Sequence, residues 1–316
     1  MATKTNSYLK NTNRTFDNVL DSIYDSSFAQ RSGNIFQWNY TKCGAPIATI
    51  SGLGDGNGVI AASTPMGILF PGPNGELYPS TLTNVEATTT KIMYPQMEGA
   101  LPAADAGATA VGYNLQLDGE AVDNGGFEWV PGNGVNANAS NKFVVGTHSG
   151  YFDATFWTSD WTDYDCVAIG FRIAGVAFET GHAVILAAAS GDPLYTDFVA
   201  FGVQSADDIQ IATALNDGDR TYTDTTQVPT DSDNLRLRVD LSSAGVVTYS
   251  HVSNEIAGAG TLAAPTATAA YTFDDGDTLI PYMVALKNGT ADVELLVKDI
   301  VINRQGDVSW EELSRS

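Results

Sequence analysis

Over residues 166–175 apolar side chains fall at every second position: Val167, Ile169, Phe171 and Ile173 alternate with Ala168, Gly170, Arg172 and Ala174. Leu235, Leu237, Val239 and Leu241 repeat the pattern against Arg236, Arg238, Asp240 and Ser242. A period of two sends one set of side chains to a core and the other to water, which predicts half-buried strands. Runs of the same character occupy residues 143–145, 152–156, 183–188, 198–203, 209–214, 246–252, 279–286 and 293–302. Turn-forming clusters separate most of them: Asp192-Pro193, Asn216-Asp217-Gly218-Asp219, Asp274-Asp275-Gly276-Asp277 and Asn288-Gly289. Short strands in this number predict an all-β chain, an antiparallel two-sheet jelly-roll sandwich.

The start of the chain follows another rhythm. Residues 1–13 are polar and expected to be extended. Phe16, Val19, Leu20, Ile23, Tyr24 and Phe28 then recur at helical spacing, with Asp17, Asp21 and Asp25 opposite. This predicts an amphipathic helix over residues 13–30, ending near Ser32-Gly33-Asn34. Its apolar stripe needs a cover, either the body of the protein or a neighbour. From Ile35 to Tyr94 short apolar runs alternate with glycine-rich turns, and the alanine-rich stretch 99–112 marks a boundary. The expected layout is an arm and anchoring helix over 1–35, a small β-rich or extended region over 36–112, the sandwich over 113–304, and a polar tail over 305–316.

Charge changes the picture of partners. The chain has 37 acidic and 15 basic residues, a net charge of −22 and a pI near 4.1. Nucleic acid and anionic membranes are therefore excluded as partners by repulsion. Residues 1–42 depart from the trend, with Lys4, Lys10, Arg14, Arg31 and Lys42 against Asp17, Asp21 and Asp25. A mildly basic arm on an acidic body suits attachment through one end to an acidic surface. No run approaches the ~18 apolar residues of a membrane span. The opening MATKTNSYLKN has no apolar core of a secretion signal, so folding in the cytosol is expected. Cys43 and Cys166 are too few for a disulfide framework or a zinc site and read as reduced thiols.

The same residues lack the spacing of the common catalytic constellations. Sandwich glycosidases set several acids on one strand face, and retaining cleavage needs two carboxyls about 5–5.5 Å apart. Here the acids fall in turns, as Asp274, Asp275 and Asp277 do, or singly, as Glu294 does. The histidines His148, His182 and His251 have no metal-ligand spacing, and Ser190-Gly191-Asp192 lacks a nucleophile elbow. The Asp-Gly-Asp turns carry the oxygen ligands calcium prefers, yet turns use these residues for backbone reasons alone. No metal or cofactor is therefore expected. Phe156, Trp157, Trp161 and Tyr164, interleaved with aspartates, form the densest aromatic cluster. Such a cluster is either a sugar-stacking site or core and oligomer contact.

The order of segments after residue 113 carries a resemblance. Phe143-Val144-Val145-Gly146-Thr147 comes first, then Val167-Ala168-Ile169-Gly170-Phe171-Arg172. Leu235-Arg236-Leu237-Arg238-Val239 precedes Val246-Val247-Thr248-Tyr249. Tyr271–Asp277 leads to Leu279-Ile280-Pro281-Tyr282, and Val297-Lys298-Asp299-Ile300-Val301-Ile302 closes the series. This succession resembles the concanavalin-A-like (laminin-G-like) β-sandwich of virion structural proteins of tailed bacteriophages, capsid cement or decoration proteins among them. The resemblance implies a non-enzymatic decoration subunit on the outer capsid surface, made in the host cytoplasm, with the major capsid protein as partner. A homo-oligomer, trimer or dimer, is expected. In that setting Phe16, Val19, Leu20, Ile23, Tyr24 and Phe28 would staple neighbouring coat subunits. The alternative is a glycan-binding head fibre or adhesin using Trp157, Trp161 and Tyr164.

Overall fold

The computed structural model describes residues 34–44, 47–49, 65–84, 95–96, 113–117, 126–132, 141–175, 195–204, 208–253, 261–288 and 293–306. In chain order the strands are β1 (Asn34–Asn39), β2 (Ile47–Thr49), β3 (Pro65–Pro71), β4 (Leu77–Asn84), β5 (Pro95–Gln96) and β6 (Tyr113–Leu117). Then come β7 (Gly126–Pro131), β8 (Phe143–Val144), β9 (Ser149–Trp157), β10 (Tyr164–Ile173), β11 (Phe198–Gln204) and β12 (Ile209–Ala214). The last six are β13 (Thr221–Gln227), β14 (Asn234–Leu241), β15 (Val246–Ser253), β16 (Tyr271–Thr272), β17 (Thr278–Lys287) and β18 (Val293–Gln305). A single turn of helix, α1 (Tyr40–Cys43), follows β1.

Two antiparallel sheets account for all of them. The eight-stranded sheet runs β16-β15-β14-β9-β18-β6-β5, and β1 also pairs with β18. The ten-stranded sheet runs β13-β12-β11-β10-β17-β7-β4-β3-β2, and β8 also pairs with β17. The inward side chains of both sheets interdigitate in one core, where Trp129 meets Phe152 at 5.9 Å and Phe201 meets Tyr249 at 5.4 Å across the two sheets. This is the expected all-β, antiparallel two-sheet jelly-roll sandwich.

The described strands before residue 132 pair within the same sheets. β1 lies against β18 from Asn34↔Asn303 to Asn39↔Asp299. Its Phe36 and Trp38 are fully buried, edge-on to Phe70 and, for Phe36, to Trp129, with Tyr78 tilted against Phe36. Strands β2, β3 and β4 extend the ten-stranded sheet through β7. The predicted helix over 13–30 and the expected boundary at 99–112 lie outside the described residues.

Leu235, Leu237, Val239 and Leu241 point inward as their alternation predicts. β10 departs from the prediction: Ala168, Gly170 and Arg172, expected in water, are buried too. The outward face of the ten-stranded sheet carries a second apolar cluster including Val130, Cys166, Ala168, Tyr195, Phe198, Tyr282, Val284 and Leu286.

Candidate functional site

The accessible polar surface with the most organised chemistry is the outward face of the eight-stranded sheet. Period two places Tyr151, Asp153 and Thr155 on that face of β9, and Asn234, Arg236, Arg238 and Asp240 on that face of β14. The antiparallel register sets Thr155 beside Arg236 and Asp153 beside Arg238. Arg236 grips Asp153 bidentately, with Nε and Nη2 each donating at 2.8 Å. Arg238 donates to both oxygens of Asp240, and its guanidinium lies 3.7 Å above the Tyr151 ring. Arg236 and Arg238 remain 29% and 27% exposed, so the ladder faces solvent while each charge is matched. Planar guanidinium groups suit both the bidentate grip and the aromatic stack.

Beside this ladder the bulged strand β18 presents Asp299, which accepts from Asn39 Nδ2 at 3.1 Å. Asn39 Oδ1 in turn accepts from the backbone N–H of Lys42, tying α1 to β1. Burial pushes the Asp299 carboxyl up to about 6, with Asp153 adding to the rise while Asn39, Arg236 and Lys42 oppose it. A raised carboxyl makes the fold bind a proton more tightly than the unfolded chain does. Its contribution to stability is full below about pH 4 and is lost as pH rises through about 6. Asp299→Asn removes the charge and keeps an acceptor for Asn39. We expect it to stabilise the protein at pH 7 by about 1–2 kcal/mol and to leave it nearly unchanged at pH 4. Urea unfolding at the two pH values tests this, and equal shifts at both would contradict it.

The outward face of the ten-stranded sheet is different in kind. Arg172 of β10 donates from Nε to Glu128 Oε1 at 2.6 Å and from Nη2 to Oε2 at 3.1 Å. Tyr195 donates its hydroxyl to the same Oε1 at 2.9 Å, and its ring lies 4.4 Å from the guanidinium carbon. Both charged side chains are fully buried. Burial works against the Arg172 charge, but Glu128 outweighs it and holds the guanidinium above its usual range. Burial, then Glu128, keeps the Tyr195 hydroxyl firmly protonated. A pair sealed in this way joins β7 to β10 and is closed to substrate.

The aromatic cluster expected to offer a stacking surface is placed otherwise. Trp161 and Tyr164 are fully buried and Trp157 is 7% exposed. The Trp161 indole donates to the Thr230 carbonyl at 3.2 Å, and Asp231 accepts from its backbone N–H. Trp157 packs with Leu296. Of the two roles open to this cluster, the structure places these three rings in the packing, with little of their faces open to solvent. Phe16, Val19, Leu20, Ile23, Tyr24 and Phe28 lie outside the described residues, as does His182. His148 Nδ1 accepts from the Val144 N–H at 2.7 Å, a structural bond.

The Asp-Gly-Asp turns satisfy their own backbone and one another. Asp277 accepts from the Asp274 N–H, Asp274 from Asn216 Nδ2, and Asp197 from the Asn216 N–H. Asn216 and Asp217 hold positive φ, as tight turns ask of Asn and Asp. Burial, then Asp197, raises the Asp277 carboxyl. Among the described residues no group of three or more His, Cys, Asp or Glu side chains is arranged to hold a metal, and no helix is long and apolar enough to cross a membrane.

No family model and no curated protein matches the chain. Among solved structures it is similar to a seed lectin of Lotus tetragonolobus, at 9% identity and a TM-score of 0.40, over 62% of this chain and 89% of the lectin. Arcelin-5, a lectin-like defence protein of Phaseolus vulgaris, gives 11%, 0.40, 72% and 99%. An alginate lyase of Pseudomonas aeruginosa gives 10%, 0.38, 61% and 83%. These are likenesses of two-sheet architecture alone. Lectins and a lyase share that architecture, so function has to come from this chain's own residues.

Proposed function

We propose that the chain is a non-enzymatic structural protein of a virion: a decoration subunit whose sandwich is a rigid body and whose N-terminal segment anchors it to the coat. One structural observation carries the non-catalytic part. Among the described residues the ion pairs on the sheet faces are structural: Glu128 with Arg172 ties β7 to β10 in the sealed face, Asp153 with Arg236 ties β9 to β14 in the open one, and Asp240 holds Arg238 of its own strand over the Tyr151 ring of β9. A general acid or base has to reach a substrate atom, and groups clamped by bidentate arginines are poorly placed to exchange protons. Support for the virion part comes from the segment order after residue 113 and from the basic arm on an acidic body.

Phe36 and Trp38 of β1 are buried in the core, so removing residues 1–33 leaves that strand and its packing in place. Burying the stripe from Phe16 to Phe28 between coat subunits would contribute several kcal/mol at about 25 cal/mol per Å², multiplied by avidity over a symmetric shell. The test compares the full chain with one lacking residues 1–33 for co-sedimentation with coat particles of the same virus. We expect at least a tenfold loss of bound protein. Equal loading would overturn the anchoring role, and specific binding of the full chain on a glycan array would favour an adhesin.

A further inference from the structure

The two sheets leave a seam along one side of the sandwich, between the β15–β16 edge and β13, the edge of the ten-stranded sheet. Residues 261–270 cross it. Ala263 and His251 exchange both backbone hydrogen bonds, at 2.9 and 3.0 Å, and Gln227 of β13 donates to the Thr266 hydroxyl at 3.1 Å. Ala269 packs against the core, and the chain then pairs as β16 with Val246 and Val247. This strap therefore bridges the edges of both sheets.

His251 sits under it. The side chain is 8% exposed and turned inward, with its ring 6.3 Å from Phe201 of β11. Its Nδ1 is buried and has no hydrogen-bond partner. Leu237 is its partner on β14, Phe201 faces it from β11, and Ala263 is the strap residue bridged to it. None of these is charged. The nearest titratable group on its own strand is Tyr249, whose buried hydroxyl is also unpartnered. Burial with Nδ1 unpartnered favours the neutral imidazole, since the cation would carry a second N–H that finds no acceptor among Leu237, Phe201 and Ala263.

We propose that this seam is an acid-released latch: protonation of His251 drives its ring out from beneath the strap and frees residues 261–270 from β15. In agreement, burial lowers the imidazole's proton affinity below its usual value, with only the Ala263 backbone contact opposing. The sign follows. A base whose folded pKa is depressed lends stability that is present above the ordinary imidazole value and is lost as pH falls through the folded one. Closure thus holds near neutrality and weakens in acid.

The experiment is hydrogen exchange of the full chain at pH 7.5 and pH 5, expressed as protection factors corrected for the intrinsic pH dependence of exchange. Peptides spanning 246–253 and 261–272 should lose about tenfold in protection at pH 5 while β10 and β17 stay protected. His251→Phe, which fills the same space without a titrating nitrogen, should abolish the difference. Ala263→Pro removes the N–H bonded to His251 and should give at pH 7.5 the exchange that the unaltered chain shows at pH 5. Unchanged protection between the two pH values, or the same acid opening in His251→Phe, would overturn the latch.

Discussion

Replacing Arg172 with alanine is expected to cost about 3–5 kcal/mol of stability, the range for breaking a buried pair from one side. Glu128 would be left inside with its charge unmatched, because both of its oxygens now accept from the guanidinium and only Oε1 also accepts from Tyr195. The loss also removes the filling between the Tyr195 and Tyr282 rings, which lie 4.4 and 6.0 Å from the guanidinium carbon. Desolvation sets the comparison that matters. Arg172→Met combined with Glu128→Leu removes both charges and keeps most of the volume, so it should recover more than half of the single-variant loss. Chemical unfolding of the two single variants and the double variant gives the coupling directly. If the double variant is as unstable as Arg172→Ala, the pair is not held against a desolvation cost and the interpretation fails. Should the double variant also keep the cooperative unfolding of the unaltered chain, Arg172 and Glu128 act as a structural pair despite their resemblance to an acid and its electrostatic partner.

The alternation rule read one sheet well and misread the other for a physical reason. In β14 it assigned Arg236, Arg238 and Asp240 to solvent, and they are on that face, partly exposed. In β10 it put Arg172 in water as well, but that strand is central, covered on both faces and flanked by β11 and β17. A strand buried on both sides keeps no polar phase. β11, reading Phe198-Val199-Ala200-Phe201-Gly202-Val203, announces this by being apolar throughout. Arg172 was illegible because its partner Glu128 arrives from β7 through pairing with β17, a contact that no local pattern encodes. The Asp153–Asp299 neighbourhood was missed likewise. A search along single strands cannot see two carboxylates brought together by the β9–β18 register. β13 escaped too, since Thr221-Tyr222-Thr223-Asp224-Thr225-Thr226-Gln227 has no apolar phase. An edge strand needs little more than backbone pairing, and here only Thr225 is buried.

Gly170→Ala is expected to be the most damaging single-methyl change in the sandwich, at about 3 kcal/mol or more. A Cβ at this position would lie 1.8 Å from the Val199 carbonyl oxygen and 2.8 Å from its carbon, so the obstacle is backbone and not a side chain that can swing aside. Tyr282 explains why the approach is so close. It is the register partner of Gly170 on β17, yet its hydroxyl donates to the Val199 carbonyl on β11, so the ring reaches across β10 where glycine leaves room. Gly202 gives the same room from the other strand, since its Cβ would meet the Val167 carbonyl at 2.0 Å. Gly276→Ala is the control. That turn glycine has φ +90° but open space around it, so only the conformational penalty of about 1–2 kcal/mol applies. Unfolding midpoints should therefore separate the two variants clearly, with Gly170→Ala the lower. A Gly170→Ala protein no less stable than Gly276→Ala would mean that β10 and β11 part easily, and the sealed outward face on which the non-catalytic reading rests would lose its rigidity.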